Sequence, residues 1–172
     1  MHPPLLGIVG YSGTGKTTLL KALIPCLRQQ GLSVGLIKHS HHNVDVDTPG
    51  KDSYELRHSG AHQTMVACDQ RWALMTETPS QPNSLAELAQ QFGNVDLILV
   101  EGFKHEPLPK IALYRAAVGK PLADLLDPHV IALATDATDV GLDLPPNVTQ
   151  LDLNHIAQIA TFITEWRGQR SC

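Results

Sequence analysis

Cysteine is scarce in this chain: Cys26, Cys68 and Cys172 are three in 172 residues. They are widely spaced, and no Cys-x-x-Cys pair occurs. A disulfide framework or a zinc ribbon needs more, so the pattern suits a reducing compartment. Charge is also sparse, at 17%, with a net value of −4. No global basic field is available to hold nucleic acid. No apolar run approaches the roughly 20 residues that span a bilayer. No basic segment followed by an apolar run opens the sequence, so no signal peptide is read. These absences predict a cytoplasmic protein with neither membrane nor nucleic acid as partner. Internal repeats and low-complexity segments are missing as well. What is present is a 42% apolar composition, in line with a folded chain and not a disordered one. The length fits one domain, 1–172, with a full core.

The apolar spacing predicts an α/β order. Leu5–Gly10 is a short apolar run, read as a buried strand. Residues 16–30 follow with Leu19, Leu20, Leu23, Ile24 and Leu27 on one helical face, and Pro25 predicts a kink. Gly31 is a natural stop. Residues 33–38 form a second strand. Strand, helix and strand make a βαβ unit, which implies parallel pairing. Residues 39–50 are polar and rich in His and Asp, so they read as a loop; 51–58 fit a short helix. Gln63–Cys68 and 72–76 read as an inserted antiparallel hairpin, at about 61–78. Ser84 and Glu87 match a capping box for a helix to about Phe92. Residues 96–101 hold Leu-Ile-Leu-Val, the mark of a strand buried on both faces. Further strands are read at Lys110–Tyr114, 129–134 and 148–151, before a final helix capped by Asn154. Trp72 and Trp166 are expected in a core or an interface. The fold class is α/β, P-loop NTPase-like: a mostly parallel sheet flanked by helices, with the hairpin inserted.

Chemistry concentrates after the first strand. Gly10, Gly15, Lys16 and Thr17 satisfy G-x-x-x-x-G-K-[ST], and Ser12, Gly13, Thr14 and Thr18 complete the loop. Successive N–H groups must curl around a phosphate chain, and glycine permits the curl. The helix that follows points its positive end at the anion. The expected roles are charge stabilisation at the β- and γ-phosphates by Lys16 and a Mg²⁺ ligand from the Thr17 hydroxyl. A dinucleotide fingerprint fits poorly, because Lys-Thr-Thr stands where its third glycine belongs.

The carboxyl ends of the other strands face the same edge. Glu101 ends a buried strand and is the candidate to hold Mg²⁺ or orient an attacking water. Asp96 opens that strand and belongs at the opposite edge. His39, His41 and His42 follow the second strand, with Asp45, Asp47, Lys51 and Asp52 behind them. Asp47 is the candidate carboxylate for Mg²⁺ in this loop. A partner-facing role and a transition-metal role for the histidines stand beside that reading. Lys104 adds charge near the phosphates or is simply solvated. Asp136 follows the strand at 129–134 and is a candidate base reader, since a carboxylate accepts from guanine N1–H and N2–H₂. It lacks the surrounding Asn-Lys-x-Asp pattern.

The ordered set of these stretches is more specific than the loop alone. It comprises Gly-Tyr-Ser-Gly-Thr-Gly-Lys-Thr-Thr-Leu-Leu-Lys, Gly-Leu-Ile-Lys-His-Ser-His-His, Asp-Val-Asp-Thr-Pro-Gly-Lys-Asp-Ser-Tyr-Glu-Leu-Arg, Gln-Arg-Trp-Ala-Leu-Met-Thr-Glu-Thr-Pro and Asp-Leu-Ile-Leu-Val-Glu-Gly-Phe-Lys-His-Glu. In this it closely resembles the MobB family of molybdopterin-guanine dinucleotide biosynthesis. The resemblance covers most of residues 5–115. It implies a P-loop domain of the class that includes signal-recognition GTPases, GTP binding with weak Mg²⁺-dependent hydrolysis, and a homodimer. It also implies an accessory role beside a MobA-type transferase, the enzyme that attaches GMP to molybdopterin, and other molybdopterin-handling proteins. The alternative is a small P-loop kinase of a bound metabolite. Such kinases carry an Arg-rich lid, whereas Arg57, Arg71 and Arg115 here lie in separate segments.

Overall fold

The computed structural model describes residues 3–40, 42–137 and 144–170. In chain order the elements are β1 (Leu5–Gly10), α1 (Lys16–Gln29), β2 (Val34–Lys38), α2 (Asp52–His58), β3 (Gln63–Cys68), β4 (Arg71–Thr76), α3 (Leu85–Ala89), β5 (Leu97–Glu101), β6 (Lys110–Tyr114), β7 (Val130–Thr135), β8 (Thr149–Asp152) and α4 (Ile156–Gly168). Short 3₁₀ turns at Ala116–Val118 and Ala123–Leu125 precede β7. The chain separates into two compact units, Met1–His39 with Leu88–Cys172, and Ser40–Glu87.

The first unit holds a six-stranded sheet in the order β2-β5-β1-β6-β7-β8, with every pairing parallel. The period-two alternation of β1 divides its side chains between two cores. Leu6 and Ile8 join Leu19, Leu20, Leu23 and Leu27 of α1 and Ile159, Ala160 and Ile163 of α4 on one face. Val9 meets Ala112, Leu125, Val130 and Leu133 on the other. Each fully buried leucine stabilises the fold by roughly 1.5–3 kcal/mol relative to exposure. Coverage on both faces explains why β5 reads as a continuous apolar run.

Local chemistry sets the element ends. α1 runs through Pro25 to Gln29, then closes with Gly31 N–H on the Arg28 carbonyl and Leu32 N–H on the Leu27 carbonyl. The Ser84–Glu87 box forms as expected: Glu87 Oε2 accepts from Ser84 N–H at 2.8 Å and Ser84 Oγ from Glu87 N–H at 3.3 Å. The helix it opens ends at Ala89, short of Phe92. At α4 the N-cap is His155, not Asn154. The Asn154 N–H donates instead to Asp152 Oδ1 at 2.8 Å, inside the turn that leaves β8.

The second unit contains the hairpin, β3 paired antiparallel with β4. The unit is wider than the hairpin because Arg57 of α2 gathers its segments. Arg57 donates to both oxygens of Asp47, to Asp45 Oδ1 at 2.6 Å and to Glu77 Oε1 at 3.0 Å. These carboxylates raise the Arg57 pKa, the Asp47 hydrogen bond contributing most.

Candidate functional site

β1 lies between β5 and β6; the chain goes from β1 to β2 on one side of it and later crosses from β5 to β6 on the other. Ligands in open α/β sheets bind beyond the carboxyl ends at such a switch. The loop from β1 to α1 occupies that position. Gly13 and Gly15 stand at φ 83° and 91°, which an L side chain rarely adopts. They turn the backbone into a cradle at the head of α1. Thr14 is wholly buried, and its hydroxyl donates to the Tyr11 carbonyl at 2.9 Å.

A cavity of about 430 Å³ is lined by Ser12, Gly13, Gly15, Lys16, Thr17, Thr18 and Glu101. Seven residues from two parts of the sequence therefore meet at one place. Lys16 Nζ donates to the Gly10 and Tyr11 carbonyls at 2.9 and 3.0 Å, which folds the ammonium across the loop. Burial lowers the Lys16 pKa; the nearby Glu101 carboxylate pulls it back up, and Lys38 lowers it further. Glu101 is only 9% exposed, and its Oε2 lies 3.5 Å from Lys38 Nζ.

The oxygen donors Thr17 and Glu101 suit Mg²⁺, which takes one or two protein ligands together with phosphate oxygens and water. Among the described residues, no group of three His, Cys, Asp or Glu could hold a metal alone. Of the histidines, His41 lies outside the described residues. His39 donates its N–H to the Glu101 carbonyl, and its ring packs 4.7 Å from that of Phe103. Asp47 belongs to the other unit, where both its oxygens accept from Arg57. Asp96 sits at the amino end of β5, bound by Ser33 and Arg167.

Asp136 follows β7 at the ligand edge. Its Oδ2 accepts from Arg115 Nη1 at 2.8 Å, and Arg115 Nε donates to the Thr14 carbonyl at 3.0 Å. Arg115 thus touches the phosphate loop, a contact that sequence spacing had not revealed. The available signal was its place directly after the strand Lys110–Tyr114; what was missing was the knowledge that β6 adjoins β1. Lys104 lies with Nζ 5.6 Å from the Tyr11 ring centre, outside the cavity lining.

The MobB model, described as molybdopterin guanine dinucleotide synthesis protein B, matches residues 5–136. A relative in Escherichia coli K12 is 54% identical over 98% of this chain and 95% of its own. One in Haemophilus influenzae is 53% identical over 95% and 89%. Both are named molybdopterin-guanine dinucleotide biosynthesis adapter protein. The crystal structure of a molybdopterin-guanine biosynthesis protein B shares the fold, with a TM-score of 0.74 at 24% identity over 95% of this chain and 99% of that one. With its phosphate loop, its parallel sheet and these matches in register, the chain belongs to the MobB family.

Proposed function

We propose that this chain is a GTP-binding adapter protein of molybdopterin guanine dinucleotide biosynthesis, working beside a MobA-type transferase and proteins that handle molybdopterin. The observation that carries the reading is the single cavity shared by Lys16, Thr17 and Glu101. The adapter names of the relatives support the biosynthetic setting. Loop N–H groups and Lys16 hold the phosphates. Thr17 and Glu101 would hold Mg²⁺, which would supply neutralising positive charge to the triphosphate. Asp47, whose two oxygens accept from Arg57 within the second unit, is left out of that set. Asp136 accepts from the guanine edge and favours GTP over ATP.

Hydrolysis is slow in this reading. Water attacks the γ-phosphorus, the bond to the β–γ bridging oxygen breaks, and GDP and phosphate leave. Lys16 and the loop amides stabilise the developing charge, and Glu101 either holds Mg²⁺ or orients the water. A kinase reading is weaker, because no arginine-rich lid is found among the described residues. Arg57 is engaged by three carboxylates and Arg115 by Thr14 and Asp136. The homodimer forms through the apolar hairpin of the second unit.

Calorimetric titration with GTP and ATP, with and without the transferase and molybdopterin, tests the proposal. Wild-type protein is expected to bind GTP more tightly than ATP. Lys16→Ala is expected to abolish GTP binding, and an unchanged affinity in that variant would sink the reading.

A further inference from the structure

We propose that Arg115 is a positioning residue that locks the phosphate loop to the base side of the nucleotide site. The inference rests on the nucleotide-binding reading above and adds a part to it. The geometry begins with one peptide unit. Arg115 Nε holds the Thr14 carbonyl at 3.0 Å. Every described peptide bond is trans, so the Thr14 C=O and the Gly15 N–H of the same planar unit point in opposite directions. Fixing the carbonyl on Arg115 therefore aims the Gly15 N–H away from Arg115. Gly15 lines the cavity, and among the described residues its N–H makes no hydrogen bond. It is a donor held ready for an anion.

The second anchor is Asp136, whose Oδ2 takes Nη1 at 2.8 Å. The guanidinium is thus pinned from the ends of three adjacent strands: β1 through its loop, β6 through Arg115 itself and β7 through Asp136. The rigid planar fork serves the two acceptors from separate atoms, Nε and Nη1, in fixed directions, whereas an ammonium would have to serve both from one nitrogen. Among the described residues, Asp136 Oδ1 accepts no hydrogen bond. Arg115 therefore orients both halves of the site, the loop amide for phosphate and the carboxylate for base. Because the parts are held before the ligand arrives, less ordering is needed on binding.

The experiment is calorimetry of GTP and of inorganic tripolyphosphate on wild-type, Arg115→Gln, Arg115→Lys, Asp136→Asn and the Arg115→Gln/Asp136→Asn double variant, with thermal melts for each. Arg115→Gln is expected to weaken GTP and tripolyphosphate about tenfold each, or about 1.4 kcal/mol. Asp136→Asn weakens GTP more than tripolyphosphate. The double variant loses less GTP affinity than the product of the two single losses, because both act through one contact. Arg115→Lys does not rescue, and it carries the test if the Gln variant fails to fold. Tripolyphosphate binding untouched by either Arg115 variant overturns the proposal. So does rescue by Lys, and so do strictly multiplicative losses. Wild-type protein that binds no triphosphate overturns the nucleotide reading and this inference with it, whereas GTP binding that survives at Arg115 overturns the inference alone.

Discussion

Glu101 and Gly102 are neighbours with separate duties. Glu101 brings a carboxylate to the cavity. Gly102 turns the chain away at φ 95°, where a Cβ would stand 2.8 Å from His39 Cβ. The sharp turn lets the loop after β2 pass close to the end of β5. In the Mg²⁺ role, the Glu101 charge has two opposed effects: it attracts the cation and repels the phosphates. Glu101→Gln is therefore expected to cut the Mg²⁺-dependent gain in GTP affinity about tenfold, while binding without Mg²⁺ is equal or tighter. Titrations with Mg²⁺ and with a chelator separate the two. A Gln variant that keeps the full Mg²⁺ gain removes Glu101 from the metal.

The β3–β4 hairpin is the element least able to stand alone, since two strands rarely bury enough to persist in water. Met65 pairs with Leu74 and Ala67 with Trp72, which places these four on one face. Trp72 is 66% exposed. Val44, Val46, Leu56 and Val66, also in the second unit, are exposed too. On that one face Met65, Trp72 and Leu74 are all exposed, which suits the proposed dimer contact. Light scattering is expected to give a dimer for the wild type and a monomer for Trp72→Asp at micromolar concentration. A wild-type monomer ends the dimer proposal. Of the two tryptophans expected in a core or an interface, Trp166 packs against the α1–α4 core, whereas Trp72 is exposed on the hairpin, where only the interface reading applies.

At the scale of the molecule, the two edges of the sheet do different work. The carboxyl edge carries the cavity at the phosphate loop. The amino edge carries ties that hold the fold. Asp96 accepts from the Ser33 N–H and hydroxyl and from Arg167 of α4, joining β5, the start of β2 and the last helix. The Ser33 hydrogen bonds, aided by Arg167, hold its pKa below the usual carboxylate value despite burial. A carboxylate whose folded pKa is depressed stabilises the fold above its unfolded value of about 3.9 and loses that contribution as pH falls through the folded one. Asp96→Asn is expected to lower the melting temperature at pH 7 and to narrow its gap from wild type as the pH falls below about 4. A gap constant down to pH 2 argues against the tie. Lys110, 1% exposed, forms a second tie at this edge, donating to Asp127 Oδ2 and to the Lys104 carbonyl. Among the described residues, no helix is long and apolar enough to cross a membrane.

Much of this was legible in the chain because it rests on local chemistry. Apolar period and turn residues located β1, β3 and β6 to the residue, and the loop from Gly10 to Thr17 declares itself by spacing. The Ser84–Glu87 box is likewise a matter of residues three apart. The α4 cap was misread because the turn that leaves β8, with the Asn154 N–H on the Asp152 carboxylate, puts the helix start one residue later, at His155. Strand order lies beyond local pattern altogether. Only the tertiary structure set β6 beside β1 and so brought Arg115 to Thr14, and only it gathered Asp45, Asp47 and Glu77 around Arg57. By itself, then, the sequence determined which segments become strands and helices and that a phosphate loop opens α1. The tertiary structure decided which distant charges meet that loop, because a side chain finds its partner through packing and not through its place in the chain.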